Sequence, residues 1–263
     1  MHQRHRARIC ILVKAYPQPS LKYEETVCCA GITDTGQLLR LYPIPYRHLK
    51  PEQRFGRFDV IEAVIERDTS DFRPESHKVA PDSISIVQHE KDLSEESKVR
   101  LWAPFVVPSL VQLKEENQAT HRSLGIIKPD AGSLKFKVTR HDRNPDDEAA
   151  FASMYSQQNL FYEKPLPALK MEYQFGYSFT CAGTYHEMKL HDWEVQAAYF
   201  QYRRKYGGEA LNMMRKEYED NMPLRNLHFV MGTMKAHPRQ FIVIGMLRSG
   251  VSPEEVQSQA SLF

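Results

Sequence analysis

Several things are scarce in this chain. Four cysteines in 263 residues, two of them adjacent (Cys28, Cys29), suit neither a disulfide framework nor paired zinc knuckles. No apolar run approaches the roughly 20 residues that a membrane-spanning helix needs. The first such run, residues 9–13, is broken by Lys14 and is too short for the hydrophobic part of a secretory leader. Neither sign of charge dominates, since 35 Lys and Arg face 33 Asp and Glu. GxxxxGK[ST], a GxGxxG behind a strand, GxSxG and HExxH are all missing. Their absence argues against P-loop and dinucleotide-cofactor enzymes, serine hydrolases of the elbow type and zinc peptidases. Internal repeats and low-complexity stretches are missing too. What is present, 41% hydrophobic and 26% charged residues, predicts a soluble, reduced, cytoplasmic protein with a proper core.

Hydrophobic patterning places the elements. The continuous apolar run 9–13 is that of a strand buried on both faces. Residues 27–33 and 37–42 flank Asp34-Thr35-Gly36, a turn signal that predicts a hairpin. Between them, the prolines at 17 and 19 impose an extended path, with room for one helical turn before residue 26. Ile61, Ala63 and Ile65 alternate along a strand at 58–66. Ser94 followed by Glu95 and Glu96 starts a helix that stops before Pro104, and 109–118 is a second helical segment. Leu134, Phe136 and Val138 mark a half-buried strand. Residues 141–148 are polar and acidic and contain a proline, so they read as an internal linker, followed by a helix at 147–158. From 169 to 181 every odd position is apolar or aromatic, a long strand with one buried face. A short strand at 186–190 runs into Asp192, which opens a helix with Trp193, Ala197 and Phe200 toward the core and Gly207-Gly208 at its end. A helix at 209–221 and a hairpin of 227–233 with 240–247 complete the set.

Strands, then helices, then hairpins, without a repeating βαβ unit, predict an α+β protein. Its sheets are mixed, mostly antiparallel and built from hairpins, with helices packed on one face. One compact domain is expected, with a basic lobe at 1–140, a second at 150–248 and a flexible tail at 249–263.

Charge is unevenly spread. Residues 1–57 carry ten Lys and Arg against four acids, with tyrosines interleaved, a pattern suited to phosphates and unstacked bases. The candidate nucleic-acid contacts are Lys14, Tyr16, Lys22, Tyr23, Arg40 and Arg47. Arg73, in the loop Asp71-Phe72-Arg73-Pro74-Glu75, and Lys235 and Arg239 at the tip of the last hairpin join them. Each has a plain alternative: tyrosines cover sheet ends, hairpin-tip charges keep edges soluble, and Arg73 pairing with Asp71 or Glu75 would serve only to pin its loop. The candidate catalytic groups are Asp192 and Glu194, with His186 and Glu25 as further acid–base residues. Capping of a helix by Asp192, with Glu194 on its dipole, accounts for that pair equally well. Cys181, His186 and His191 are spaced loosely for a metal, but Cys181 follows the core parity of its strand. No metal site or cofactor is therefore expected, and a divalent ion is left open. The leading expectation is a hydrolase on nucleic acid, a nuclease or base-removing glycosylase. The alternatives are a DNA- or RNA-binding module without activity, or an enzyme on a small nucleoside or phosphorylated substrate.

Overall fold

The first strand sets the architecture because both its faces are apolar. In the computed structural model, which describes residues 4–20, 24–140 and 172–260, β1 (His5–Lys14) points Ile9 and Ile11 into one core and Cys10 and Leu12 into another. It pairs antiparallel with both β3 (Glu24–Thr33) and β5 (Val60–Arg67). β3 pairs with β4 (Leu38–Ile44), β4 runs parallel to β6 (Ser76–Val79), and β6 returns antiparallel to β5. The ring β1-β3-β4-β6-β5 therefore closes into a five-stranded barrel. Its connectivity is that of a Greek-key OB-type barrel. β2 (Gln18–Ser20) and β7 (Ser85–Gln88) add to its rims. The lumen is filled by apolar side chains, Ile9, Ile11, Leu41, Phe55 and Ile61 among others.

A second sheet follows after α1 (Glu95–Trp102), which Ser94 caps by accepting the Ser97 amide. Its order is β10-β11-β12-β14-β13-β9-β8. These strands are β8 (Val106–Val107), β9 (Leu124–Ile127), β10 (Lys135–Arg140), β11 (Tyr173–Cys181), β12 (Thr184–Leu190), β13 (His228–Met234) and β14 (His237–Leu247). One face carries α2 (Leu110–Thr120), α3 (Trp193–Tyr206) and α4 (Ala210–Arg215) over a core of Phe136, Phe175, Tyr177 and Phe229. The opposite face packs on the barrel, with Leu12, Ile32, Trp102, Ile126, Val230 and Ile244 between the layers. The layers cross so closely at Gly245 that a Cβ there would lie 2.1 Å from Val13 Cγ1. Both sheets are mixed, and the class is α+β.

Four expectations change. The boundary between halves falls just after α1, because β8, β9 and β10 already belong to the second sheet. Phe200 is 44% exposed, and the buried stripe of α3 is Val195, Gln196 and Tyr199. Trp193 misled the helical phase because its ring turns to the barrel, 4.9 Å from that of Tyr46. The C-terminal segment is anchored, with α5 (Pro253–Ala260) burying Val256 against the seam core. The extended path over the prolines is kept in β2, but residues 24–26 already belong to β3, where the end of a helical turn was expected. The expected helix at 147–158 and the polar stretch 141–148 lie outside the described residues.

Candidate active site at the seam

Where the two layers meet, a short turn presents one arginine. Phe58 holds a left-handed backbone (φ 62°), uncommon for a bulky residue and tolerated only where the surroundings over-determine it. Here its amide donates to the Ile11 carbonyl, the Ile11 amide donates to Asp59, and its ring is buried in the seam core. Asp59 Oδ2 accepts the Gly56 amide at 2.6 Å and closes the turn. Arg57 is thereby aimed between the layers.

The start of α3 meets it from the other side. Asp192 caps the helix by accepting the Glu194 amide at 2.8 Å. It is stapled to both layers, since the Tyr16 amide donates to the His191 carbonyl and the His191 amide donates to Val243. Arg57 Nη2 reaches Asp192 Oδ2 at 3.0 Å and Glu194 Oε2 at 2.8 Å, and Nη1 donates to the Met246 carbonyl. The Asp192 side chain is fully buried, whereas that of Glu194 is 41% exposed. Burial pushes the Asp192 carboxyl up to about 6 against the pull of Arg57, with the neighbouring Glu194 charge adding to the rise. Asp192 is thus the fixed end of the cluster and Glu194 the end that meets solvent.

A pocket of about 250 Å³ opens over this cluster, lined also by Tyr202, Glu217, Tyr218 and Arg248. A second space of about 590 Å³ shares Arg57, Glu194 and Arg248 and extends to Glu90, Glu95 and Arg225. Burial raises Tyr218 above the ordinary phenol range, so it keeps its proton. Burial opposes the charge on Lys98, but hydrogen bonds to Glu90 and Glu95 outweigh it and hold the ammonium. The cleft contains a solvent-facing carboxylate held by a guanidinium, a half-buried tyrosine face and two exposed arginines, Arg225 and Arg248. Carboxylates outnumber cations on its walls, which suits acid–base chemistry better than a phosphate clamp.

The other candidate residues scatter. Arg40 is 4% exposed, not available to a phosphate: it donates to Ser123 O and Oγ and to Cys28 Sγ across the seam. Arg73 is likewise buried, forked onto Asp71 and donating to the Thr233 carbonyl. Tyr16 is buried and offers no face for stacking. Lys14 is spent internally, donating to Phe55 O and Tyr46 Oη, with its ammonium 4.6 Å from the Tyr46 ring centroid. Arg47 is half-buried, whereas Lys235 and Arg239 are exposed at the tip of β13–β14. His186 is buried against Phe179, and burial lowers its pKa, so it is neutral. It lies four residues, about 13 Å, up β12 from Leu190 and takes no part in the cluster. Glu25 lies in β3, but its side chain, like all of Lys22 and Tyr23, is outside the described residues. Among the described residues no group of three or more His, Cys, Asp or Glu could hold a metal ion. Arg57 is what the sequence reading missed. Its only signal was a Gly-Arg-Phe-Asp turn ahead of a strand.

The barrel-and-sheet arrangement with a polar cleft at its seam defines a two-layer α+β protein. Residues 107–263, more than half of the chain, match a family model described as Domain of unknown function (DUF8757), and the chain belongs to that family. Residues 5–103 match a second, Domain of unknown function (DUF8758). The division between the two matches coincides with the step from barrel and α1 to the second sheet. No curated protein matches the chain.

Proposed function

We propose that the chain is a hydrolase acting on nucleic acid at the seam cleft, with Glu194 as the acid–base group. The observation that carries this reading is the Arg57 fork, shared between a fully buried Asp192 and a half-exposed Glu194 on the wall of a cleft. Arg57 fixes the Glu194 carboxylate, and Asp192 positions Arg57. A water beside Glu194 gives up its proton to the carboxylate as its oxygen bonds to the substrate's electrophilic centre; the scissile bond to the leaving group breaks, and Glu194 returns the proton to that leaving group. In this reading Arg225, and Arg248 beside its partner Glu217, would supply charge for phosphate oxygens, and Tyr202 a flat face for a base. The free cysteines suit a reducing compartment, and we place the protein in the cytoplasm.

The second reading, a nucleic-acid-binding module without activity, draws on the barrel topology, since OB-type barrels take oligonucleotides on one sheet face. Fold alone does not give function, and here Ala30 and Ile32 of β3 are covered by the second sheet. The two readings separate in one experiment, in which wild type and Glu194→Gln are incubated with labelled 30-nucleotide single-stranded and duplex DNA and RNA. Fragment or free-base release is followed beside binding. Turnover by wild type that falls at least about 100-fold in the variant, with binding kept, supports the hydrolase. Binding without turnover by wild type favours the module, and neither overturns both.

A further inference from the structure

The loop between β5 and β6 is built to display one aromatic ring. On one side of Phe72 the Asp71 carboxylate accepts the Arg73 amide at 3.1 Å and Ser76 Oγ at 3.0 Å, besides the guanidinium fork. On the other side Glu75 accepts the Ser123 amide at 2.8 Å and its hydroxyl at 2.7 Å. Both flanks are locked by buried polar contacts, yet Phe72 itself is 49% exposed. Among the described residues its aromatic neighbour is His121, edge-on with ring centroids 5.4 Å apart.

Two other elements are tied to this loop. Arg73 Nη1 donates to the carbonyl of Thr233, next to the tip of the β13–β14 hairpin. Asn117 Nδ2 donates both to Arg122 O at 2.8 Å and to Pro238 O at 3.1 Å, joining the end of α2, where His121 sits, to the same tip. At that tip Lys235 and Arg239 are exposed and make no ion pair with a described residue. The nearby acids are engaged: Asp71 on Arg73, Glu75 on Ser123, and Glu116 on Arg122. The patch therefore combines a rigid aromatic face with unpaired positive charge.

We infer that Phe72, edge-on to His121 and carried by a loop tied to the hairpin that bears Lys235 and Arg239, is a platform for single-stranded nucleic acid. One base stacks on the Phe72 ring while the two cations meet neighbouring phosphates. A duplex hides its base faces, whereas an unpaired strand offers them to any exposed ring. A protein partner fits less well, because interface cores are depleted of lysine and here the cations flank a single ring. The inference rests on the reading of nucleic acid as the substrate and gives it a gripping surface away from the carboxylate-rich cleft.

The test is fluorescence anisotropy with a labelled 12-nucleotide oligothymidine and the matching oligouridine, on the full chain. Stacking on one ring predicts that Phe72→Ala weakens binding about 5- to 150-fold, and that Phe72→Trp restores it. Lys235→Ala with Arg239→Ala should reduce the slope of log affinity against log salt by about 1.4. Melting temperatures should not move, because the substituted side chains are exposed. Unchanged affinity in Phe72→Ala, while wild type binds, overturns the platform and leaves the cleft reading standing. Loss of turnover in Glu194→Gln with no binding defect in that variant separates the two sites. Failure of wild type to bind either oligonucleotide overturns the platform and the nucleic-acid reading together.

Discussion

Among the described residues three arginines cross the seam between barrel and second sheet, and they divide it into two unlike halves. Arg40 and Arg73 lie in the closed half, each below a tenth exposed, and their donors end on backbone carbonyls, on Ser123, on Cys28 Sγ, or on the buried Asp71. Burial raises the Asp71 carboxyl, but the hydrogen bonds and charge of Arg73 outweigh it and hold Asp71 down at about 2. Arg57 stands in the open half, where one partner is buried and the other, Glu194, faces a cleft. The same residue type thus does different work. A guanidinium whose partners are all buried fastens layers, and one that shares a solvent-facing carboxylate can also serve chemistry.

The largest effect expected is in the closed half. Arg73→Ala leaves Asp71 buried without its cation and should cost about 3–5 kcal/mol in denaturant unfolding. A loss under 1 kcal/mol would show that the closed half is not fastened by that pair.

Arg57→Ala should cost somewhat less, about 2–4 kcal/mol at pH 8, because Asp192 keeps backbone donors and can take up a proton. The sign of its pH dependence follows from Asp192. Its folded pKa of about 6 lies above the usual carboxylate value, so the ionised form costs stability. In the wild type that cost grows as pH rises from about 4 to about 6 and is constant above. Without Arg57 the window moves higher, so the variant should be less impaired at pH 5 than at pH 8. Equal impairment at both would contradict a buried, proton-accepting Asp192.

Asp192→Asn gives a smaller effect at acid pH, since Asn caps a helix about as well as Asp. It should abolish the wild-type decline between pH 4 and 6, shifting the balance toward the variant by up to about 3 kcal/mol as pH rises. Parallel stability–pH curves for the two proteins would remove Asp192 as the titrating group.

The contrast between the halves was only partly legible in the sequence. Local signals carried over well: the Asp34-Thr35-Gly36 hairpin, the Ser94 and Asp192 caps, and the alternation through β11 each depend on neighbours in the chain. The barrel closure did not show, because the parallel β4–β6 pairing joins strands distant in sequence, and β6, β7 and β9 are only four residues long. Charge counting treated Arg40 as a surface cation because burial of an arginine leaves no mark on composition, whereas the loop around Arg73 already offered the Asp71 pairing that is found. Asp192 and Glu194 stood out as a helix start. Their partner Arg57 did not, since what brings it to them is a left-handed residue at Phe58 and a contact 135 positions away.

The most direct test of the division is a paired measurement of stability and turnover in Glu194→Gln and Arg40→Met, beside wild type, on the labelled DNA and RNA strands that test the proposed function. Glu194 is half-exposed, so its variant should unfold within about 0.5 kcal/mol of wild type while turnover falls at least about 100-fold. Arg40→Met should lower the melting temperature and leave turnover per folded molecule unchanged. A Glu194→Gln protein as active as wild type, or an Arg40→Met protein that is stable but inactive, would contradict the assignment of chemistry to the open half of the seam.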